Sequence, residues 1–415
     1  MKFTTITDEA RIALGGLYDY AHDTVNPTIR LGVTGLSRAG KTVFITALVH
    51  NLLNGGRLPL FLPHSTGRIK RAYLQPQPDD DVPRFAYEAH LEALTAGENR
   101  HWPKSTRRIS QLRVTLEYEP EGFLSRTFSS GKLNIDIVDY PGEWLLDLAL
   151  LDMTYAQWSA AALENAKAPP RDQVSGDWLQ HLATIDPASP AVEAVAQRAS
   201  HLFTAYLREC RNDELAQSTL PPGRFLMPGD LEGSPLLTFA PLQIPNGADV
   251  ARGSIAEMME RRYNSYVSKV VKPFYLDHFS RLDRQIVLVD LLSTLNAGPQ
   301  AVQDLRHALA DILASFRPGQ TSWLNAILGK KIDRILFAAT KADQLHHTSH
   351  DRLEAILRKV VDGALQRTEG TGALHDVVAL ASIRSTREHI LKQDGEELPS
   401  IAGIPKQGEK IGRKT

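Results

Sequence analysis

An octapeptide near the start of the chain constrains the fold more than any other feature. It follows the pattern G-x-x-x-x-G-K-[ST], whose glycines let the backbone curl so that N–H groups point at phosphate oxygens. The lysine reaches the β- and γ-phosphates, and the final residue offers a hydroxyl to Mg²⁺. The octapeptide consists of Gly35, Leu36, Ser37, Arg38, Ala39, Gly40, Lys41 and Thr42.

The sequence on either side of this loop supports a phosphate-binding site. Ile29, Leu31 and Val33 alternate with less apolar residues, as in a strand, and residues 43–49 are apolar enough for a buried helix. Strand, glycine loop and helix is the context that the motif requires. The predicted nucleotide-binding residues here are Gly35, Ser37, Arg38, Ala39, Gly40, Lys41, Thr42 and Val43.

Composition excludes several classes of protein. The 415 residues are 42% hydrophobic and 23% charged with a net charge of −1, so we expect a globular protein without nucleic-acid partners. Cys210 is the only cysteine, which excludes a disulfide within the chain, and its apolar-periodic surroundings predict burial. The N-terminus lacks the pattern of a signal peptide, and the apolar stretch 144–153 is too short to span a bilayer. A cytoplasmic protein is expected.

Hydrophobic patterning predicts an α/β fold with a mostly parallel sheet, one antiparallel edge strand and helices on both faces. Strands at 112–118 and 133–137 predict the antiparallel hairpin, and apolar runs at 286–289, 335–338 and 377–380 are typical of parallel strands. We expect helices at 8–21 and 85–94 and an extended excursion at 57–83. Residues 144–283 show helical spacing, including a helix that Ser254 would cap, and predict a mostly α-helical insertion.

The predicted organisation has four parts. Residues 1–143 and 284–391 form the two halves of the nucleotide-binding core, and 144–283 form the helical insertion between them. The tail at 392–415 shows no obvious closing element, so we expect a C-terminal piece to be missing.

A second motif follows the strand at 133–137. Asp139, Tyr140, Pro141 and Gly142 form a D-x-x-G sequence. An acidic residue at the tip of a strand beside the phosphate-loop strand can hold Mg²⁺ through water, and the glycine N–H can contact a γ-phosphate. Asp136, inside the strand, is less suited to the metal.

A third motif indicates guanine. Thr340, Lys341, Ala342 and Asp343 match [NT]-K-x-D after an apolar strand. The carboxylate can accept two hydrogen bonds from guanine, whereas adenine presents no such paired donors. Lys341 can lay its stem along the base, and Ala381-Ser382 resembles the loop that backs it.

These motifs occur in the order of a GTPase domain, and the chain resembles the YcjX family of bacterial P-loop GTPases. Further likeness lies in 286–290, 295–299, Arg262-Tyr263 and Lys272-Pro273-Phe274. The resemblance implies GTP/GDP and Mg²⁺ as cofactors, hydrolysis of GTP to GDP and phosphate, and a switch role in a stress response associated with phage shock. The long stretch between Asp139 and Thr340 departs from small GTPases.

Two residues differ from a small GTPase. Arg38 resembles the phosphate-loop arginine of guanylate-binding proteins, which stabilises the transition state in cis; the alternative is that it faces solvent or pairs with Glu143. Glu143 stands where many GTPases carry a water-orienting glutamine, and a carboxylate can accept but not donate a hydrogen bond, which predicts slow hydrolysis. The predicted catalytic residues are Lys41, Arg38 and Glu143.

The predicted metal ligands are Thr42, Asp139 and Thr106. Ser105 and Thr106 lie just before the strand at 112 and offer hydroxyls, although a basic surface loop is an equal alternative. We interpret His346-His347 as a polar loop. A basic helix face is expected to be solvated, with a membrane or partner contact as the alternative; it comprises Arg261, Arg262, Lys269 and Lys272.

Three functions compete. The first is a GTP-hydrolysing switch. The second is a non-hydrolysing, nucleotide-gated adaptor that presents the helical insertion to a protein partner or, at the periphery of the inner membrane, to a lipid surface. The third, an ATPase, requires the Thr340–Asp343 motif to be accidental.

Overall fold

A computed structural model describes residues 27–36, 39–56, 58, 61–103, 108–119, 131–212, 214–244, 250–315, 332–367, 373–393 and 395–404. The helix predicted at 8–21 lies outside these residues.

The described residues form a seven-stranded mixed sheet and a separate hairpin. The sheet order is β2-β3-β4-β1-β5-β6-β7, and β8 pairs with β9. The strands are β1 (Thr28–Gly35), β2 (Ile69–Gln75), β3 (Ser110–Tyr118), β4 (Lys132–Asp139), β5 (Arg284–Val289), β6 (Arg334–Ala339), β7 (Leu374–Ala379), β8 (Thr386–Gln393) and β9 (Glu396–Gly403).

Most of the sheet is parallel, as predicted. β1 lies between β4 and β5, and parallel pairing continues through β6 to β7. β3 pairs antiparallel with both β4 and β2. The antiparallel strand is therefore not the outermost one: β2 lies outside it, within the stretch predicted to be an extended excursion. Lys70 and Arg71 interrupt the apolar alternation of this strand, which is why the sequence pattern does not predict it. Charged residues on an exposed edge strand also discourage its pairing with a strand of another molecule.

Helices cover both faces of the sheet. They are α1 (Lys41–Leu53), α2 (Leu62–Ser65), α3 (Tyr87–Thr95), α4 (Glu143–Leu146), α5 (Tyr155–Lys167), α6 (Gly176–Leu182), α7 (Glu193–Cys210), α8 (Gly223–Leu226), α9 (Ile255–Tyr266), α10 (Lys272–Asp277), α11 (Leu291–Ala297), α12 (Pro299–Ser315) and α13 (His350–Arg367). A π-helical turn, Val267–Val271, joins α9 to α10 just before Pro273, which lacks a backbone N–H.

Two apolar cores lie on opposite faces. The smaller packs α1 and α3 through side chains such as Ile45, Val49 and Tyr87. The larger joins α12 and α13 with the helices between β4 and β5. The described part of 144–283 contains helices, turns and loops but no strand, and Ser254 caps α9 by accepting from the Glu257 N–H at 3.2 Å. Because this segment shares its core with the sheet, its assignment as a separate unit stays a prediction.

The C-terminal segment contains a hairpin that was not predicted. β8 and β9 pair in register from Thr386↔Gly403 to Gln393↔Glu396, so part of the segment assigned to the tail at 392–415 belongs to this hairpin. Asp394-Gly395 is a hairpin-turn signal in the sequence, and Gly395 has a φ of +84° that suits glycine. No described helix combines the length and apolarity needed to cross a membrane.

Candidate functional site

The described residues on either side of the predicted phosphate loop lead from strand β1 into helix α1, as that motif requires. Gly40 precedes α1 in the left-handed region, with a φ of +77°, where a side chain would introduce strain. The Ala39 N–H donates to the Leu36 carbonyl at 3.1 Å. Lys41 and Thr42 open the helix, whose N-terminus favours anions. Ser37 and Arg38 lie outside the described residues.

Lys41 joins the first two motifs. Its ammonium lies 2.8 Å from Asp139 Oδ1 and donates to the Tyr140 carbonyl at 2.6 Å. Parallel pairing of β1 with β4 sets this geometry, because Val33 stands opposite Asp139 at the carboxyl ends of both strands. Asp139 and Asp136 are both fully buried. Asp136, which lies nearer the start of β4, forms a bidentate ion pair with Arg113 at 2.6 and 2.7 Å.

Gly142 brings the D-x-x-G segment against the phosphate loop. A Cβ at this position would lie 2.3 Å from the Gly35 carbonyl oxygen and 3.1 Å from the Leu36 nitrogen. Both obstacles are backbone atoms, which cannot rotate away as a side chain can. Only glycine therefore permits this approach.

Glu143 begins α4 and points into protein. It is 6% exposed, and its Oε1 lies 2.8 Å from a guanidinium nitrogen of Arg211, the residue that follows α7. The Gly223 backbone packs directly against the Glu143 carbonyl, since a Cβ at Gly223 would lie 2.1 Å from that oxygen. The residue predicted to orient water is thus held by the helical segment.

The rest of α4 and the turn after it are held by the same region. Asp147 accepts hydrogen bonds from the Gly223 N–H at 2.6 Å and from the Tyr266 hydroxyl. Burial raises the pKa of Asp147 to about 6, although these hydrogen bonds oppose the shift. The Trp144 indole N–H donates to the Met227 carbonyl at 3.1 Å, and the Arg224 guanidinium lies over its ring.

The third motif lies at the end of β6. The Thr340 N–H donates to the Val289 carbonyl at 2.9 Å, which ties the loop to neighbouring β5. Lys341 adopts a left-handed conformation with a φ of +61°, uncommon for a residue with a side chain. Its ammonium lies 2.5 Å from Asp290 Oδ2, and the same carboxylate caps α11 by accepting from the Ser293 N–H at 3.2 Å.

Asp343 is fixed by the loop after β7. It is 8% exposed, and its Oδ2 accepts from the Ser385 N–H at 3.0 Å and from the Ser385 hydroxyl at 2.7 Å. The Ala342 N–H donates to the Leu380 carbonyl at 3.1 Å, which places Ala381 and Ser382 beside the motif. Ala381 is exposed and Ser382 half-buried.

The three motifs therefore share one edge of the sheet. They follow the carboxyl ends of β1, β4 and β6, and the loop after β7 joins them. In open α/β sheets this is the edge where ligands bind. Thr106 and Ser105, predicted for the metal, lie outside the described residues.

The sequence is similar to known proteins over most of its length. Residues 29–414 match the model of the YcjX-like family, DUF463. The chain belongs to the YcjX-like family. It is 39% identical over 391 residues to a protein of Escherichia coli K12 named Ras-like GTPase YcjX, with 91% of this chain and 83% of the relative covered. A Shewanella oneidensis protein of the same name is 34% identical over 408 residues, covering 94% and 84% respectively.

Several residues of this YcjX-like protein were missed by sequence reasoning. Asp290, Ser385 and Arg211 each contact a predicted site residue across a long sequence separation. Asp290 gave a usable signal, because a polar residue directly after a buried strand at this edge of the sheet is a site candidate, as Asp139 is. Ser385 and Arg211 carried no such signal.

Three side predictions have different outcomes. Cys210 is buried, as predicted, and burial raises its thiol pKa to about 11. Arg261 and Lys269 are exposed, as predicted, whereas Arg262 is half-buried: it pairs with Glu193 and donates to the Thr238 carbonyl at 2.9 Å. The rings of His346 and His347 are tilted by 36° with their centroids 4.3 Å apart, and His347 Nδ1 lies 2.9 Å from Glu388, which also binds Arg384.

Proposed function

We propose that this protein binds GTP and GDP with Mg²⁺ and slowly hydrolyses GTP to GDP and phosphate, as a nucleotide-dependent switch in a bacterial stress response. The observation that carries the proposal is the placing of Lys41, Asp139 and Asp343 on one edge of the sheet. The curated relatives are named Ras-like GTPase, which supports it.

At the phosphate end, the available side chains fit a magnesium nucleotide. Thr42 and Asp139 offer oxygen donors, the kind that Mg²⁺ prefers. Lys41 supplies the cation that the β- and γ-phosphates require. Binding needs an exchange of partners, because Lys41 and Asp139 pair with each other in the structure. Thr106 remains the proposed second hydroxyl for the metal.

At the base end, Asp343 supplies the guanine selectivity. A carboxylate has about four lone-pair positions, so it can accept from the N1–H and exocyclic amine of guanine while Ser385 holds Oδ2. Lys341, Ala381 and Ser382 would flank the base. Adenine lacks the paired donors and should bind weakly.

For the chemical step we propose Arg38 as an internal cation and Glu143 as an acceptor for the attacking water. The burial of Glu143 against Arg211 supports slow turnover, because the carboxylate has to leave that pair first. If Arg38 acts in cis, Arg38→Ala should lower phosphate release by about 10²- to 10⁴-fold, with little change in GTP affinity. A decrease within about threefold, under roughly 0.7 kcal/mol, would reject the role.

The adaptor function is the second candidate, and the same burial of Glu143 favours it. In that case the protein binds GTP without turnover and presents the helices of 144–283 to a protein partner or to the inner-membrane surface. The discriminating experiment titrates GTP, GDP and ATP with and without Mg²⁺ and then follows phosphate release. Guanine binding with release supports the switch, binding without release supports the adaptor, and equal ATP binding contradicts both.

A further inference from the structure

The segment after D-x-x-G is clamped between the phosphate loop and the helices that follow it. We propose that Arg211 is a positioning residue whose ion pair with Glu143 couples the γ-phosphate side of the nucleotide site to the helical segment, so that GTP binding releases the pair. This inference rests on the proposed function, and it names a form of regulation for the same site.

The burial of the Glu143–Arg211 ion pair makes its loss energetically costly. Glu143 and Arg211 are 2.8 Å apart, with side-chain exposures of 8% and 22%. Partial burial strengthens such a pair relative to one on the surface, and it makes loss of either partner costly for the other. Arg211 directly follows α7, whose Phe203, Tyr206 and Leu207 belong to the larger core. The cation is therefore carried by a well-packed helix.

The backbone around Gly142 is tightly packed both against the phosphate loop and against α8. Gly142 already touches the Gly35 backbone, and the Glu143 carbonyl already touches Gly223. Close-packed contacts transmit displacement instead of absorbing it. A γ-phosphate that draws in the Gly142 N–H therefore displaces Glu143, which breaks its ion pair with Arg211 at the end of α7 and shifts its contact with Gly223 at the start of α8.

The coupling has a thermodynamic signature. GTP and GDP differ only in the γ-phosphate, so only GTP has to work against the Glu143–Arg211 pair. A ligand shifts an equilibrium by its differential affinity for the two arrangements, and the effect is reciprocal. Weakening the pair should favour GTP over GDP. A residue that acts only in folding would change both affinities alike.

The experiment measures the dissociation constants of GDP and of a non-hydrolysable GTP analogue, both with Mg²⁺, in the full chain. The variants are Arg211→Ala, Glu143→Gln, their combination and Arg211→Lys. Arg208→Ala is the matched control, because Arg208 is an exposed arginine in the last turn of α7, the helix that Arg211 follows. Kd for GDP divided by Kd for the analogue should rise about 3- to 10-fold in each single variant, with GDP affinity nearly unchanged.

Two further expectations sharpen the test. The double variant should give the same ratio of dissociation constants as either single variant, because each single substitution already removes the same ion pair. The ratio of Arg211→Lys should lie near that of the parent. If Arg211→Ala does not fold, the isosteric Glu143→Gln carries the measurement. An unchanged or lower ratio, with GDP still bound, overturns the coupling but leaves the proposed function intact. Failure of the parent to bind any guanine nucleotide overturns the proposed function itself.

Discussion

The two ends of the candidate site are built differently. At the phosphate end, the two key motif charges, Lys41 and Asp139, pair with each other, while Glu143 pairs with Arg211 from outside the motifs. At the base end, the corresponding groups are held by residues that do not belong to the motif. Asp290 holds Lys341, and Ser385 holds Asp343.

This difference has consequences for how a nucleotide would bind. At the base end the recognition groups are already oriented, so binding requires little ordering of side chains. At the phosphate end, ion pairs must be exchanged for contacts with phosphate and metal. Under the proposed function, the phosphate end would therefore respond to nucleotide identity, whereas the base end would contribute affinity that GTP and GDP share.

The largest effect on nucleotide binding should come from Lys41→Ala. Removing the cation should weaken GTP and GDP binding by about 100-fold or more, since several charge-assisted hydrogen bonds to phosphate are lost. Titration with a fluorescent nucleotide measures this. Lys70→Ala, which removes a lysine from an exposed ion pair on β2, should bind like the parent. Parent-like binding by Lys41→Ala would refute the phosphate site.

Asp147, which lies behind the phosphate end, should make stability depend on pH. Its folded pKa of about 6 exceeds the ordinary value of 3.8, so the folded state binds more protons. Its contribution is fully present below about pH 4 and is lost as the pH rises through about 6. The loss could reach about 3 kcal/mol, since each pKa unit is worth about 1.4 kcal/mol.

Urea unfolding of the parent and of Asp147→Asn between about pH 4 and pH 7 tests this dependence. The free energy of unfolding of the parent should fall relative to that of the variant as the pH rises. Asp177→Asn, at an exposed position of α6, should show no such difference. A constant gap between parent and Asp147→Asn would show that this carboxyl titrates normally.

At the base end, Asp343→Asn should weaken GTP and GDP equally, by about 10-fold or more, because charged hydrogen bonds contribute about 1.5–3 kcal/mol. Affinity for xanthine nucleotides should rise, since xanthine presents an acceptor where guanine has a donor. The control is Asp351→Asn, an exposed carboxylate in α13. If the affinities for GTP and GDP fell by different factors, the base end would not act independently of the γ-phosphate, and the proposed division of roles between the two ends would be contradicted.

Contiguous motifs made much of this molecule predictable. The phosphate loop, D-x-x-G and T-K-x-D each lie within a few residues, and each directly follows an apolar strand. Parallel pairing then had to bring the three motifs to one edge, which the pairing of β1 with β4 and β5, and of β5 with β6, confirms. The roles of the predicted residues stay predictions.

What sequence reasoning missed is nonlocal or atypical in pattern. The contacts Glu143–Arg211 and Lys341–Asp290 depend on how distant elements pack, and neither Arg211 nor Asp290 belongs to one of the three motifs. β2 was missed because its charges break the apolar alternation. The β8–β9 hairpin was missed although Asp394-Gly395 marks its turn, because its strands carry many polar residues.

The smallest effect on nucleotide affinity is expected for Asp290→Asn. This substitution tests how much the ion pair that orients Lys341 contributes to binding at the base end. The asparagine oxygen can still accept from the Ser293 N–H, so the cap of α11 should survive, but the charge that holds Lys341 is lost. Because Lys341 would then sample more conformations, GTP and GDP affinities should both fall by about 3-fold, in keeping with the modest value of a partly exposed ion pair.

The decisive quantity for Asp290→Asn is the ratio of the two affinities. If the base end acts independently of the γ-phosphate, that ratio should stay at the parent value while both constants shift. Asp333→Asn breaks another ion pair, with Arg284 near the start of β5, and should alter neither constant. A change of ratio in Asp290→Asn would mean that the base end also responds to the γ-phosphate. Nucleotide identity would then be sensed across the whole edge of the sheet, and not at the phosphate end alone.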